Sequence, residues 1–189
     1  RRGGGSPRGR GRPGAGGTWR GKGPGAPGPG PTNFDHSSRA ASVDAAGRLH
    51  LTIHQSGGVW YSSEVALDTP LGYGDYLFTT RSRFDTLDPA MTVGFFLWEY
   101  GPCFNTAYLW WNPYNEIDVE YGRWGNGLSA DAQFVCQPYD YAGNISRFNV
   151  TMADSEPITS AIRWLTGRGE YRCWRGTFTG ENTAHTASS

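Results

Sequence analysis

With 189 residues and 37% hydrophobic side chains, the chain suits one folded domain with a sizeable core. No window approaches the ~18 consecutive apolar residues of a membrane span, and no charged-then-apolar leader opens the sequence. Formal charge is zero but uneven: residues 1–30 hold seven basic and no acidic side chains, leaving ten basic against seventeen acidic in the remainder, an acidic body that excludes non-specific nucleic-acid binding by the folded part.

Residues 1–30 are rich in Gly, Pro and Arg and nearly free of apolar side chains. Such a segment cannot bury enough surface to offset its ordering entropy, so disorder or a linker is expected. The body is predicted to run from 31 to 189. Val43–Ile53 reads as strand, turn at Ala46-Gly47, strand, with His50 and His54 on the polar face as surface residues rather than metal ligands. Trp60–Leu67 and Tyr76–Phe84 read as further strands, and Thr92–Trp98 as a largely apolar central one. After an acidic strand at 115–121 come Ala130–Gln137, Arg147–Met152, Ile158–Trp164 and Glu170–Trp174. Many short strands without a sustained 3.6-residue period predict an all-β fold, a sandwich or barrel. Three cysteines, Cys103, Cys136 and Cys173, show no C-x-x-C pair, so no zinc site is predicted. One disulfide is compatible with the count, and its pairing stays open.

The acidic strand, Tyr114-Asn115-Glu116-Ile117-Asp118-Val119-Glu120-Tyr121, is the centre of the chain. Alternate strand side chains point to opposite faces. Glu116, Asp118 and Glu120 therefore share one face, looking outward, while Ile117 and Val119 look into a core. Three like charges in a row repel one another. Aromatic residues flank them, Trp110, Trp111 and Tyr114 before and Tyr121 and Trp124 after, in a chain with 14% aromatic content and eight tryptophans. Carboxylates in an aromatic floor are what a sugar-cleaving cleft needs, since sugar rings stack on indole and phenol. An acidic strand face with a bound cation is the bland alternative.

Asn115–Tyr121 resembles the E-[IL]-D-[IVF]-E signature of glycoside hydrolase family 16. Gly72-Tyr73-Gly74-Asp75-Tyr76, Val93–Leu97 and Asn144–Trp164 are similar to other segments of that family, so the likeness spans roughly residues 31–176. It implies a β-sandwich of jelly-roll type, two antiparallel sheets with a concave carbohydrate-binding face. It implies a secreted, extracellular, monomeric enzyme acting on a polysaccharide or oligosaccharide. It implies no cofactor, and it leaves room for a structural calcium without placing one. By the same resemblance Glu116 is the nucleophile, Glu120 the general acid/base and Asp118 the carboxylate between them. In a flat strand the Cα atoms of i and i+4 stand roughly 13 Å apart. Two Glu side chains leaning together can close to the roughly 5–5.5 Å between carboxyls of a retaining glycosidase. Asp118's charge is expected to raise the pKa of Glu120 and keep the acid protonated.

The unbulged E-x-D-x-E spacing is similar to members acting on β-glucans with 1,4 or mixed linkages. Substrate contacts are expected from Trp98, Trp110, Trp111, Tyr114 and Trp124, with Gln133 and Gln137 on a neighbouring strand. Trp164 and Trp174 are expected to pack. The polar stretch Thr177–Ser189 stands where the family continues in strands, so a domain incomplete at its C-terminus, with unpaired sheet edges, is expected. The reading is thus a retaining endo-glycosidase. A non-catalytic carbohydrate-binding jelly roll and an acidic cation-binding β-protein are the competitors.

Overall fold

The computed structural model describes residues 12–14, 17–26, 31–98, 115–127, 130–178 and 187–188. Among them every element is β apart from one 3₁₀ turn at Phe84–Thr86, every strand-to-strand ladder is antiparallel, and no barrel closes. The all-β expectation holds, and the sheets are consistent with a β-sandwich. The chain divides into two compact units, Arg1–Gly72 and Tyr73–Ser189.

In the first unit, β1 (Arg12–Gly14), β2 (Gly17–Gly21) and β7 (Val65–Leu67) form a three-stranded sheet in that order. Two hairpins join it, β3 (Ala41–Val43) with β4 (Leu49–Leu51) and β5 (His54–Ser56) with β6 (Val59–Tyr61). Strand β2 corrects the expectation that residues 1–30 carry no structure. Its order comes from outside its own composition: Arg20 meets Asp68 at 3.3 Å, and Lys22 meets Glu64 at 2.8 Å while lying over the Phe34 ring. His54 is a second correction. Its side chain is 11% exposed, and Nε2 pairs with Asp35 at 2.9 Å, so it is not a surface residue.

In the second unit two four-stranded sheets carry the core. One has the order β12-β11-β10-β9, from β9 (Thr92–Trp98), β10 (Glu116–Gly122), β11 (Ala132–Cys136) and β12 (Ile145–Phe148). The other has the order β15-β14-β13-β8, from β8 (Gly74–Thr80), β13 (Ile158–Leu165), β14 (Arg168–Arg175) and β15 (Ala187–Ser188). β15 lies in the stretch expected to be tail, and it pairs along β14 at Arg172 and Cys173.

Alternation decides what goes inside. Val119 and Tyr121 of β10, Ala132 and Phe134 of β11, Ile158 and Ile162 of β13, and Tyr171 and Cys173 of β14 are buried in one cluster. Phe95 of β9 stacks on Phe78 of β8 at 4.9 Å, and Phe134 on Tyr171 at 5.3 Å, so aromatic pairs knit one sheet to the other. Two phenol groups cross the same layer. The Tyr121 hydroxyl lies 2.7 Å from Ser160 Oγ and 3.2 Å from Cys173 Sγ, and the Tyr171 hydroxyl donates to the Val135 carbonyl at 2.7 Å. Tyr121→Phe strands Ser160 in an apolar layer. Its expected cost is about 1–3 kcal/mol, read as a lower urea midpoint with an unchanged slope.

Trp174 is 2% exposed, a packing residue as expected. Cys136 and Cys173 are free thiols.

Candidate functional site

The face of β10 opposite the core carries Glu116, Asp118 and Glu120. Pairing places a short row beside each. Glu116 stands opposite Trp98, Asp118 is flanked by Phe96 and Val135, and Glu120 by Gly94 and Gln133. On β12, Ile145 and Arg147 complete the rows next to Val135 and Gln133. Directly opposed residues hold their Cβ atoms roughly 4.5–5.5 Å apart, so each carboxyl feels its own row first.

The three rows differ in polarity, and that separates three chemically similar groups. Asp118 is 3% exposed between two hydrophobic neighbours, and its Oδ1 has no hydrogen-bond partner. Burial, then the charges of Glu116 and Glu120, push its carboxyl up to about 9, helped by a hydrogen bond to Glu116 and opposed by one to Gln137. At neutral pH Asp118 therefore holds a proton. Glu120 is raised as well, by burial, against the lowering effects of its Gln133 hydrogen bond and the Arg147 charge. The charges of Asp118 and Glu120 act on each other, and together with Glu116 they help to keep Asp118 neutral.

Around Glu120 the polar row is continuous. Gln133, 5% exposed, donates through Nε2 to Glu120 Oε2 at 2.6 Å, and Arg147 Nε donates to Gln133 Oε1 at 3.1 Å. Gly94 adds no side chain to this row. A Cβ there would meet nothing nearer than the Phe96 ring at 3.9 Å, so space is left beside Glu120.

Trp124 follows β10 after Arg123. Its φ is 48°, Gly125 has φ 71°, and Asn126 N–H bonds the Arg123 carbonyl at 2.7 Å, the φ pattern of a type I′ turn. A left-handed tryptophan costs about 1–2 kcal/mol relative to glycine. Its ring is 38% exposed and carries the Arg147 guanidinium 5.4 Å above it.

Of the predicted contact residues, Trp98, Gln133 and Gln137 lie on this sheet or at the end of its strand β11. Gln137 accepts the Tyr139 N–H at 3.1 Å. Gln133 is less a free sugar ligand than a partner of Glu120. Trp110, Trp111, Tyr114 and Cys103 lie outside the described residues. Arg147, Phe96 and Val135 were missed as members of the site. A signal for Arg147 was available: the period-two register of Gln133 and Val135, carried across the Gly143-Asn144 turn, sets Ile145 and Arg147 on the same face. Among the described residues no group of three His, Cys, Asp or Glu side chains is arranged to hold a metal ion. A separate shallow pocket of about 290 Å³ in the first unit is lined in part by Asp35, Ser37, His54 and Tyr61, where Asp35 is already bonded to Ser37 and His54.

No protein-family model matches the chain, and neither does any curated protein sequence. Among solved structures it is similar to the crystal structure of a glycosyl hydrolase family protein from Mycobacterium fortuitum, with a TM-score of 0.51 at 16% identity. The match covers 84% of this chain and 60% of that one. The chain thus shares the fold of that structure while spanning 60% of its length.

Proposed function

We propose that this protein is a retaining endo-glycosidase of the family 16 type, secreted and acting on a β-linked, β-glucan-like polysaccharide. The observation that carries the proposal is the desolvated carboxyl of Asp118 between two glutamates on one strand face. A solvated acidic strand needs no such arrangement. A site that must hold one anion and one acid side by side does. The fold shared with a glycosyl hydrolase supports the same class of chemistry.

In this reading Asp118, protonated, donates to Glu116 and leaves it the anion of the pair. Glu116 attacks the anomeric carbon as the bond to the departing oxygen breaks, and Glu120 gives that oxygen its proton. The products of this half are a glycosyl ester on Glu116 and a free sugar hydroxyl. A water molecule then attacks the same carbon, Glu120 takes its proton, and Glu116 leaves as carboxylate. Two inversions retain the anomeric configuration. Trp98 and Trp124 supply stacking surfaces at the two ends of the acidic row.

The test is reducing-sugar release from a panel of β-glucans and galactans, with the anomer of the first-formed product read by NMR. Retained product supports the proposal, and inverted product ends it. Binding without release, equal in wild type and Glu116→Gln, would instead identify a non-catalytic carbohydrate-binding module. Trp124→Gly separates binding from folding. It relieves the left-handed strain and removes one stacking face, so stability should change by less than about 1 kcal/mol. Polysaccharide affinity should fall about tenfold, the value of one aromatic stacking contact, measured by affinity electrophoresis.

A further inference from the structure

We infer that Arg147 is a positioning residue which, through Gln133, biases which oxygen of Glu120 carries the transferable proton. The inference rests on the hydrolase reading for its chemical consequence, but its geometry stands alone. A guanidinium has donors and no acceptor. Arg147 Nε bonds Gln133 at 3.1 Å, so the amide atom facing it must be Oε1. The amide is thereby oriented, and its NH2 end faces Glu120 Oε2 at 2.6 Å. An NH2 group also has no acceptor, so Oε2 receives that hydrogen bond and cannot present a proton to it. The hydroxyl oxygen of a carboxylic acid accepts more weakly than its carbonyl oxygen, so this hydrogen bond to Oε2 favours the proton on Oε1.

Three successive strands carry this chain, Arg147 on β12, Gln133 on β11 and Glu120 on β10, in direct register at each step. The middle link is buried, Glu120 is half-buried and Arg147 is anchored outside. Gln133 is 5% exposed, whereas the Arg147 guanidinium lies over the Trp124 ring at 5.4 Å. A neutral Gln alone would leave the amide free to turn over and offer Oε1 to the carboxyl, which would draw the proton to Oε2. The donor-only group behind it removes that alternative. The groups facing Glu120 are otherwise simple. Glu116 and Asp118 share its strand, Gly94, Phe96 and Trp98 of β9 carry no charge, Gln133 and Gln137 are neutral, and Arg147 is the cation on the described part of this face.

The experiment compares wild type, Arg147→Met and Arg147→Lys in the full chain. Glu120 is titrated by carbon-13 NMR of the side-chain carboxyls, assigned with Glu120→Gln, and the Gln133 amide protons are followed in parallel. Arg147→Met should move the Glu120 midpoint upward, because a lowering charge is lost, and should release the Gln133 amide protons to faster exchange. Arg147→Lys, which keeps a donor-only cation, should restore both. An unmoved midpoint, or a Gln133 amide that stays protected in Arg147→Met, overturns the inference.

Kinetics supply the second arm. Arg147→Met should lower kcat on the polysaccharide about 10²-fold, the scale of a misdirected catalytic group, and move the basic limb of the pH profile upward. An activated aryl glycoside, whose leaving group needs no acid, should lose far less. A raised KM with an unmoved pH profile would make Arg147 a substrate contact and overturn its positioning role. If wild type hydrolyses no glycan in the panel, the hydrolase reading fails, while the NMR titration still decides the Arg147–Gln133–Glu120 chain.

Discussion

Glu116→Gln is expected to lower kcat on a hydrolysed β-glucan on the order of 10⁴-fold or more, with substrate affinity retained. Losses of 10⁴–10⁶-fold are typical when one member of a catalytic unit is removed. The amide keeps the size of the side chain and can still bond Asp118, so the sheet has no reason to rearrange. What it lacks is the negative oxygen that forms the bond to the anomeric carbon. The companion variant Glu116→Ala opens room for a small external nucleophile. Azide should restore turnover and yield a glycosyl azide of inverted configuration, because a single displacement then replaces two. Glu120→Ala with azide should instead yield the retained azide, since Glu116 still reacts first. Exchange of these two product anomers would swap the roles of the two glutamates. Wild-type rates in Glu116→Gln would remove the proposed mechanism altogether.

Asp118→Asn is expected to stabilise the protein at neutral pH, and increasingly so as pH rises. Asp118 has its pKa raised to about 9 in the folded state by burial and by Glu116 and Glu120. In the unfolded chain it titrates near 4. A raised folded value means that stability is fully present below about pH 4 and is lost progressively as pH climbs toward 9, because unfolding releases a proton. The slope is about 1.4 kcal/mol per pH unit, or roughly 3 kcal/mol between pH 5 and pH 7. Asparagine is neutral in both states and shows none of this term. It can also donate to Glu116 as the protonated Asp118 does. Glu120 is raised as well and adds pH dependence of the same sign, but it is present in both proteins and drops out of the comparison. Urea unfolding at pH 5, 6, 7 and 8 should therefore give curves that diverge upward for the variant. Parallel curves would mean that Asp118 is ionised in the folded protein, and the division of labour between Glu116 and Glu120 would lose its basis.

Much of the second unit was legible from period-two patterning. Thr92–Trp98 has the predicted bounds, and the acidic strand begins one residue late and ends one residue late. The last hairpin turns where glycines crowd, with Gly167 in the left-handed region at φ 77°. Shorter-range errors have local causes. Arg147–Met152 was read as one strand, yet pairing stops at Phe148; Val150 and Met152 reach the core from irregular chain because Asp131 and Asp85 bond their N–H groups in place of a ladder. Trp60–Leu67 splits into β6 and β7, which join different sheets. A run of strand-forming side chains does not say which neighbour each part will pair with. Strand β2 escaped for a related reason: its order depends on Asp68 and Glu64, more than forty residues away.

The sequence by itself determined that three carboxylates share one face of a strand and that aliphatic and aromatic side chains share the other. Alternation is a property of the extended backbone, so spacing suffices. Tertiary structure alone decided what each carboxylate became. Cross-strand register set Phe96 and Val135 beside Asp118, and a carboxyl denied water there holds its proton. The same register set Gln133 and Arg147 beside Glu120, where a hydrogen bond and a positive charge oppose the effect of burial. No spacing within β10 carries that information, because the groups that separate these acids lie on β9, β11 and β12. The E-x-D-x-E pattern names the residues, and the neighbouring strands assign the proton.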